Sequence, residues 1–345
     1  MLTAGMGRRV LALYLILGGF NIVAWIAAAV AFRHFPSLLG TAFLAYSLGL
    51  RHAVDADHIA AIDNVTRKLM QENKRPLGVG FMFSLGHSTV VLIGSVAIAS
   101  AASTLHTRVD AFKEVGGLIG TLVSALFLFG IALVNLFVLR TVYTTFKSVR
   151  AGEAYKEEDL DLLLSGRGIL ARLLRPLFGM ISKSWHMYPL GFLFGLGFDT
   201  ATEIGLLGIA ASEATKGLPF WDVLIFPVLF TAGMSLIDTT DNVLMVGAYG
   251  WAFQKPIRKL YYNLTITSVS VVIAFGVGGL ETLGLVAEHF QLQGGFWQAV
   301  ATLNQNFGVI GYLIIALFVV SWIVSIVVYR VQRLDEVPVT VRTSG

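Results

Sequence analysis

Runs of mostly apolar residues recur along the chain, and about 20 such residues suffice to cross a bilayer core. Eight can be marked: Val10–Phe32, Leu38–Ile62, Leu77–Ala101, Gly116–Leu139, Met187–Ala211, Val223–Val246, Leu264–Leu285 and Val309–Tyr329. Polar residues gather in the connections, above all in Arg140–Lys183. This pattern predicts an all-α integral membrane protein with eight transmembrane helices. The first run is too long and too mixed in Gly and Ala for a removed signal peptide, and no A-x-A-type site follows it cleanly. Charges interrupt the second, fifth and sixth runs.

Composition supports the pattern. Of 345 residues, 56% are hydrophobic and only 13% charged, whereas soluble domains carry about 25% charged residues. Cys is absent, which excludes disulfides, thiolate metal sites, thiol nucleophiles and iron–sulfur clusters. The net charge of +4 is no sign of nucleic-acid binding, because in a membrane protein the placement of the cations matters more than their sum. Twenty Lys and Arg fall on one side of the predicted spans and four on the other, with Arg51 inside a span. The positive-inside rule then puts both termini in the cytoplasm. Residues 1–139 form an N-terminal membrane half, 140–186 a cytoplasmic loop and 187–345 a C-terminal half. The loop reads as a solvated amphipathic connection.

Ionisable residues inside spans cost several kcal/mol and are a functional signal. They occur here in four clusters: Arg51-His52-Ala53-Val54-Asp55-Ala56-Asp57-His58, Gly86-His87-Ser88-Thr89, Gly197-Phe198-Asp199-Thr200-Ala201-Thr202-Glu203, and Gly233 to Asn242 with Asp238 and Asp241. Six carboxylates against the one guanidinium of Arg51 cannot all stay ionised in low dielectric without a cation or protons. On a regular helix, His52, Asp55 and His58 share an arc of about 120° and Asp57 points away. Imidazole with carboxylate suits borderline divalent metals such as Ni²⁺, Co²⁺ and Zn²⁺.

The second-span group is too costly to be packing alone. His87 is either a ligand or a hydrogen-bonded packing residue. Asp63, beside Arg67 and Lys68, reads as an end-of-helix ion pair. Gly197 and Gly233 allow close helix approach or a local break. Asp199/Glu203 and Asp238/Asp241 are each spaced to share a helix face. They serve either as oxygens along a transport path or as partners that hold the second span through Arg51.

The runs RHAVDADHIAAIDN, FMFSLGHSTVV, LGFDTATE and GMSLIDTTDN resemble, in order, the four signatures of the nickel/cobalt transporter (NiCoT) family. The likeness covers nearly the whole chain. It implies secondary, high-affinity uptake of Ni²⁺, Co²⁺ or both across a cytoplasmic membrane. It also implies that the second-span motif, here His52, Asp55, Asp57 and His58, carries transport. The family's first-span Asn or His corresponds to Asn21, which is otherwise a buried amide bonded to a helix carbonyl. Val54, giving HAVDADH, tilts the resemblance toward nickel. No resident cofactor, nucleic acid or ATPase subunit is expected; the partners are the metal substrate and the bilayer.

Two other readings compete. Related exporters often carry a His-rich cytoplasmic loop, but Arg140–Lys183 contains no His. A membrane-embedded metalloenzyme would need a motif such as H-E-x-x-H, which does not occur. A G-x-x-x-x-G-K-[ST] phosphate loop is also missing from the sequence, so the chain is no ATP-driven pump.

Overall fold

The computed structural model describes residues 4–72, 74–100, 106–150, 181–196, 201–252 and 256–332. Among these, all regular structure is helical. The helices are α1 (Ala4–Ala31), α2 (Ser37–His52), α3 (Ala56–Gln71), α4 (Val79–Ser100), α5 (His106–Arg150), α6 (Met187–Gly195), α7 (Ala201–Thr215), α8 (Phe220–Val223), α9 (Ile225–Ala252), α10 (Pro256–His289), α11 (Gly295–Gln305) and α12 (Phe307–Val331). Six stretches within them are long and apolar enough to cross a membrane: Met6–Ala31, Val79–Ser100, Leu118–Val149, Phe220–Gly250, Leu260–His289 and Phe307–Val331. The chain is a multi-pass membrane protein.

The second apolar run is not the single regular helix assumed above. It divides into α2 and α3, with Ala53, Val54 and Asp55 between them. Asp55 takes the extended conformation, φ −65° and ψ 148°, at the residue preceding α3. The break is electrostatically matched. Arg51 and His52 lie in the last turn of α2 and Asp57 in the first turn of α3, so each charge type sits at the helix end whose dipole favours it. The helical-arc argument for His52, Asp55 and His58 therefore does not apply, although the three do end up together.

Helix α3 is the centre of the molecule. It packs against α4, α5, α9, α10 and α12, and all of its residues except Asp57 are buried. Such burial of polar residues requires partners from neighbouring helices. Asn135 donates to Asn64 Oδ1 at 2.6 Å, Asn242 to Thr66 Oγ1 at 2.8 Å and Gln71 to Asn263 Oδ1 at 2.7 Å. Lys68 donates to the Ile181 carbonyl at 2.7 Å. Asp63 is more than the end-of-helix ion pair predicted for it. It accepts from the Tyr249 hydroxyl and, at 2.7 Å, from Ser270, with Arg67 Nε 4.0 Å away. Tyr249→Phe removes a hydrogen bond to a buried carboxylate and is expected to cost about 1–3 kcal/mol. The measure is the melting temperature in detergent; an unchanged value would show that this bond adds no net stability.

Sequence reading missed the receiving face of α10. Asn263, Thr267 and Ser270 are all buried at i, i+4 and i+7. That spacing of polar residues in an apolar run was a readable signal. Gly233 lies inside the continuous α9 and marks a close approach, not a break: a Cβ there would come within 2.7 Å of the Tyr46 carbonyl on α2. Gly80 does the same for α4 against the backbone of Asp238. Both contacts draw α2, α4 and α9 in around the start of α3. Gly197 lies outside the described residues, as do residues 151–180 of the predicted loop.

Candidate metal-binding site

His52 closes α2, His58 sits in the first turn of α3 and His87 lies within α4. A ligand nitrogen from each lies within 4.8 Å of the other two, and all three residues are buried. His52 Nε2 and His87 Nε2 are 2.9 Å apart. For a metal–nitrogen distance of about 2.1 Å, ligands roughly 90° apart have their nitrogens about 3 Å apart, so this pair already has the spacing of adjacent ligands. Phe83 meets the His58 ring edge-on with centroids 4.8 Å apart, and Phe230 lies 5.5 Å from the His52 ring. These aromatic walls were not anticipated; they exclude water and lower the local dielectric.

Carboxylates orient the imidazoles. His52 Nδ1 lies 2.9 Å from Asp55 Oδ2, and His58 Nδ1 lies 3.3 Å from Asp238 Oδ1. An ionised carboxylate can only accept, so in each pair Nδ1 carries the proton and donates. In the neutral ring Nε2 is then the lone-pair nitrogen and the one available to a metal. His58 Nε2 has no hydrogen-bond partner among the described residues. His87 Nε2 lies 2.9 Å from Glu203 Oε1, and Thr202 Oγ1 lies 3.1 Å from His52 Nδ1.

Glu203 and Asp238 thus lie with the histidines, and Asp238 is placed to orient the His58 ring. Asp238→Asn keeps the size of the side chain and weakens its hold on the imidazole. Metal affinity should fall about 10–100-fold, as when an outer partner of a ligand is lost, with the protein still folded. Wild-type affinity measured by titration would remove Asp238 from this role.

The remaining predicted residues are more scattered. Asp57 is half-buried, and its Oδ1 has no partner among the described residues. Asp241 is half-buried one turn beyond Asp238, and its Oδ2 is likewise without one. Arg51 makes no ion pair within 4.0 Å among the described residues; it lies against Gly308 of α12 beside Asp55, not against Asp238 or Asp241. Asn21 donates to the Leu17 carbonyl at 2.9 Å and the Ala232 carbonyl at 3.3 Å, and accepts from Tyr46 at 2.9 Å. It lines a cleft of about 370 Å³ with Trp25 and Tyr46, and is not part of the cluster formed by the three histidines. Asp199 lies outside the described residues.

The arrangement can hold a dication. Two imidazoles beside carboxylates, a third imidazole and several carboxylates within one buried site offer nitrogen donors and compensating negative charge. Helices α3 and α7 both begin here, with Asp57 and Glu203 in their first turns.

The family model described as high-affinity nickel-transport protein (NicO) matches residues 38–328. A high-affinity nickel transport protein of Cupriavidus necator is 62% identical, over 95% of this chain and 93% of its own. A nickel transporter of Staphylococcus aureus is 44% identical, over 92% of each chain. A cobalt transport protein of Rhodococcus rhodochrous is 43% identical, over 83% of this chain and 81% of its own. No solved structure matches.

Proposed function

The chain belongs to the high-affinity nickel-transport family, and from that premise we propose that it is a secondary importer of Ni²⁺, with Co²⁺ as a second substrate. The metal is held by Nε2 of His52 and His58 together with His87. Asp55 and Asp238 orient the rings, and Glu203 takes the proton that His87 must yield. The observation that carries this reading is the pair of carboxylate–imidazole contacts, His52–Asp55 at 2.9 Å and His58–Asp238 at 3.3 Å, turning both rings toward one point. Asp57, Asp241 and Asp199 extend the carboxylate supply along the path, and Asn21 steadies α1 against α9 beside it.

In this reading α2 with α3, and α6 with α7, each form one interrupted span. With the six long helices they make eight, grouped as residues 1–139 and 187–345 about a cytoplasmic loop. Both termini face the cytoplasm, and the protein works in the cytoplasmic membrane without an ATPase subunit. Support comes from the one-sided distribution of Lys and Arg. The loop without His favours import over export.

Radiolabelled Ni²⁺ uptake by cells expressing the protein tests the proposal. Uptake should saturate at low metal, and unlabelled Ni²⁺ should compete best, then Co²⁺, with Zn²⁺ and Mn²⁺ weaker. Uptake no greater than in cells with an empty vector, with the protein present in the membrane, would overturn it.

A further inference from the structure

Helix α12 places Gly308 and Gly311 three residues apart, on one face, and that face is seated on the break between α2 and α3. A Cβ at Gly311 would fall on the Val54 carbonyl and come within 3.2 Å of Ile59 Cδ1. A Cβ at Gly308 would lie 2.8 Å from Arg51 Nη2, 3.0 Å from Arg51 Cζ and 3.1 Å from Asp55 Oδ1. Neither position tolerates even the alanine methyl without something moving. Both are buried, in a helix whose other faces are largely exposed.

We propose that Gly308 and Gly311 are positioning residues for the metal site. They form the surface against which the interrupted backbone is set, and through it they aim Asp55 and hold Arg51 to one side. The inference rests on reading His52, Asp55 and His58 as part of that site.

The physical reason is the unsupported backbone. Residues 53–55 lie outside both helices, so the helical ladder alone does not fix their course. In a bilayer, helices associate through close packing, and small residues let backbones touch. Here one backbone is a helix and the other is the break itself. Asp55 is the pivot: its Oδ2 meets His52 at 2.9 Å, while its Oδ1 has no hydrogen-bond partner among the described residues and faces α12. Moving the backbone at Val54 moves the next residue, Asp55, and with it the ring of His52.

The two glycines differ in what opposes them. At Gly311 the obstacle is backbone, which no side-chain change relieves. At Gly308 the nearest obstacle is the end of a long side chain, which can be shortened. This asymmetry separates positioning from general packing.

The test uses purified full-length protein and Co²⁺ as probe, because its visible absorption bands report coordination geometry. Gly311→Ala should weaken Co²⁺ binding by about tenfold or more, the scale on which disturbed supporting groups act, and should shift the bands. Gly308→Ala should give a smaller loss, which Arg51→Lys in the same chain restores. Arg51→Lys should not restore Gly311→Ala. Gly276→Ala, at an exposed α10 site where a Cβ meets nothing within 4 Å, should match wild type.

The proposal is overturned if Gly311→Ala, folded by its melting temperature, keeps wild-type bands and affinity. Should that variant not fold, the Gly308 pair decides alone: no loss with Gly308→Ala, or no restoration by Arg51→Lys, overturns it. Unchanged Co²⁺ bands in His52→Ala would instead overturn the metal-site reading beneath it.

Discussion

Replacing His58 by Ala is expected to abolish saturable Ni²⁺ uptake while the protein still reaches the membrane. His58 is fully buried. Its Nδ1 is engaged by Asp238 and its Nε2 has no partner among the described residues. A buried imidazole nitrogen without a protein partner is costly, and in the proposed site the metal is what satisfies it. The loss should exceed the roughly 10–100-fold effect of an orienting partner, because the donor atom itself is gone. Truncation also leaves Asp238 without its His58 contact, so some loss of stability should accompany it. Direct metal titration of folded, purified protein separates the two effects. His58→Ala with near wild-type affinity would remove His58 from the site. His52→Ala should behave alike, with its effect passing also through Asp55.

Metal affinity is expected to fall steeply as pH drops from about 7 to 5. Unperturbed imidazole titrates near 6.5, and a metal ligand must be unprotonated. The sign follows directly: acid adds protons to the same nitrogens that the metal needs, so binding weakens as pH falls. Each ligand proton displaced by metal adds about a tenfold loss per pH unit below that ligand's pKa. Three imidazoles can give a slope steeper than tenfold per unit. Equilibrium titration of purified protein across this range is the check, and affinity independent of pH would contradict imidazole ligation. Transport needs separate measurement in vesicles, because an inward proton gradient can also drive the cycle.

Much of the site was legible because charge in an apolar run is conspicuous. His52, Asp55, His58, His87, Glu203 and Asp238 stand out by cost alone, before any contact is known. Periodicity also reported the long helices, since lipid-facing and packed faces alike demand apolar residues. What misled was the assumption of regularity. On an unbroken second helix the shared face of His52, Asp55 and His58 follows from 100° per residue. The actual helix stops at His52 and restarts at Ala56. Nothing local demands that stop; its most intimate contacts come from Gly308 and Gly311, more than 250 residues away.

Roles were harder to read than membership. Asp238 and Asp241 look equivalent along the chain, yet only Asp238 reaches His58. Arg51 reads as a structural partner for a carboxylate, and the structure sets it against α12 beside Asp55, not beside Asp238 or Asp241. The buried seam between α3 and α10 went unnoticed because Asn263, Thr267 and Ser270 are uncharged and individually unremarkable within an apolar run. The sequence by itself determined that this chain lives in a membrane, and it marked six of the runs whose helices are long and apolar enough to cross it; it also singled out imidazole and carboxylate as the buried chemistry. Tertiary structure alone decided which ring turns toward which carboxylate and where the second helix breaks. Those depend on contacts between residues distant along the chain, and local periodicity carries no record of them.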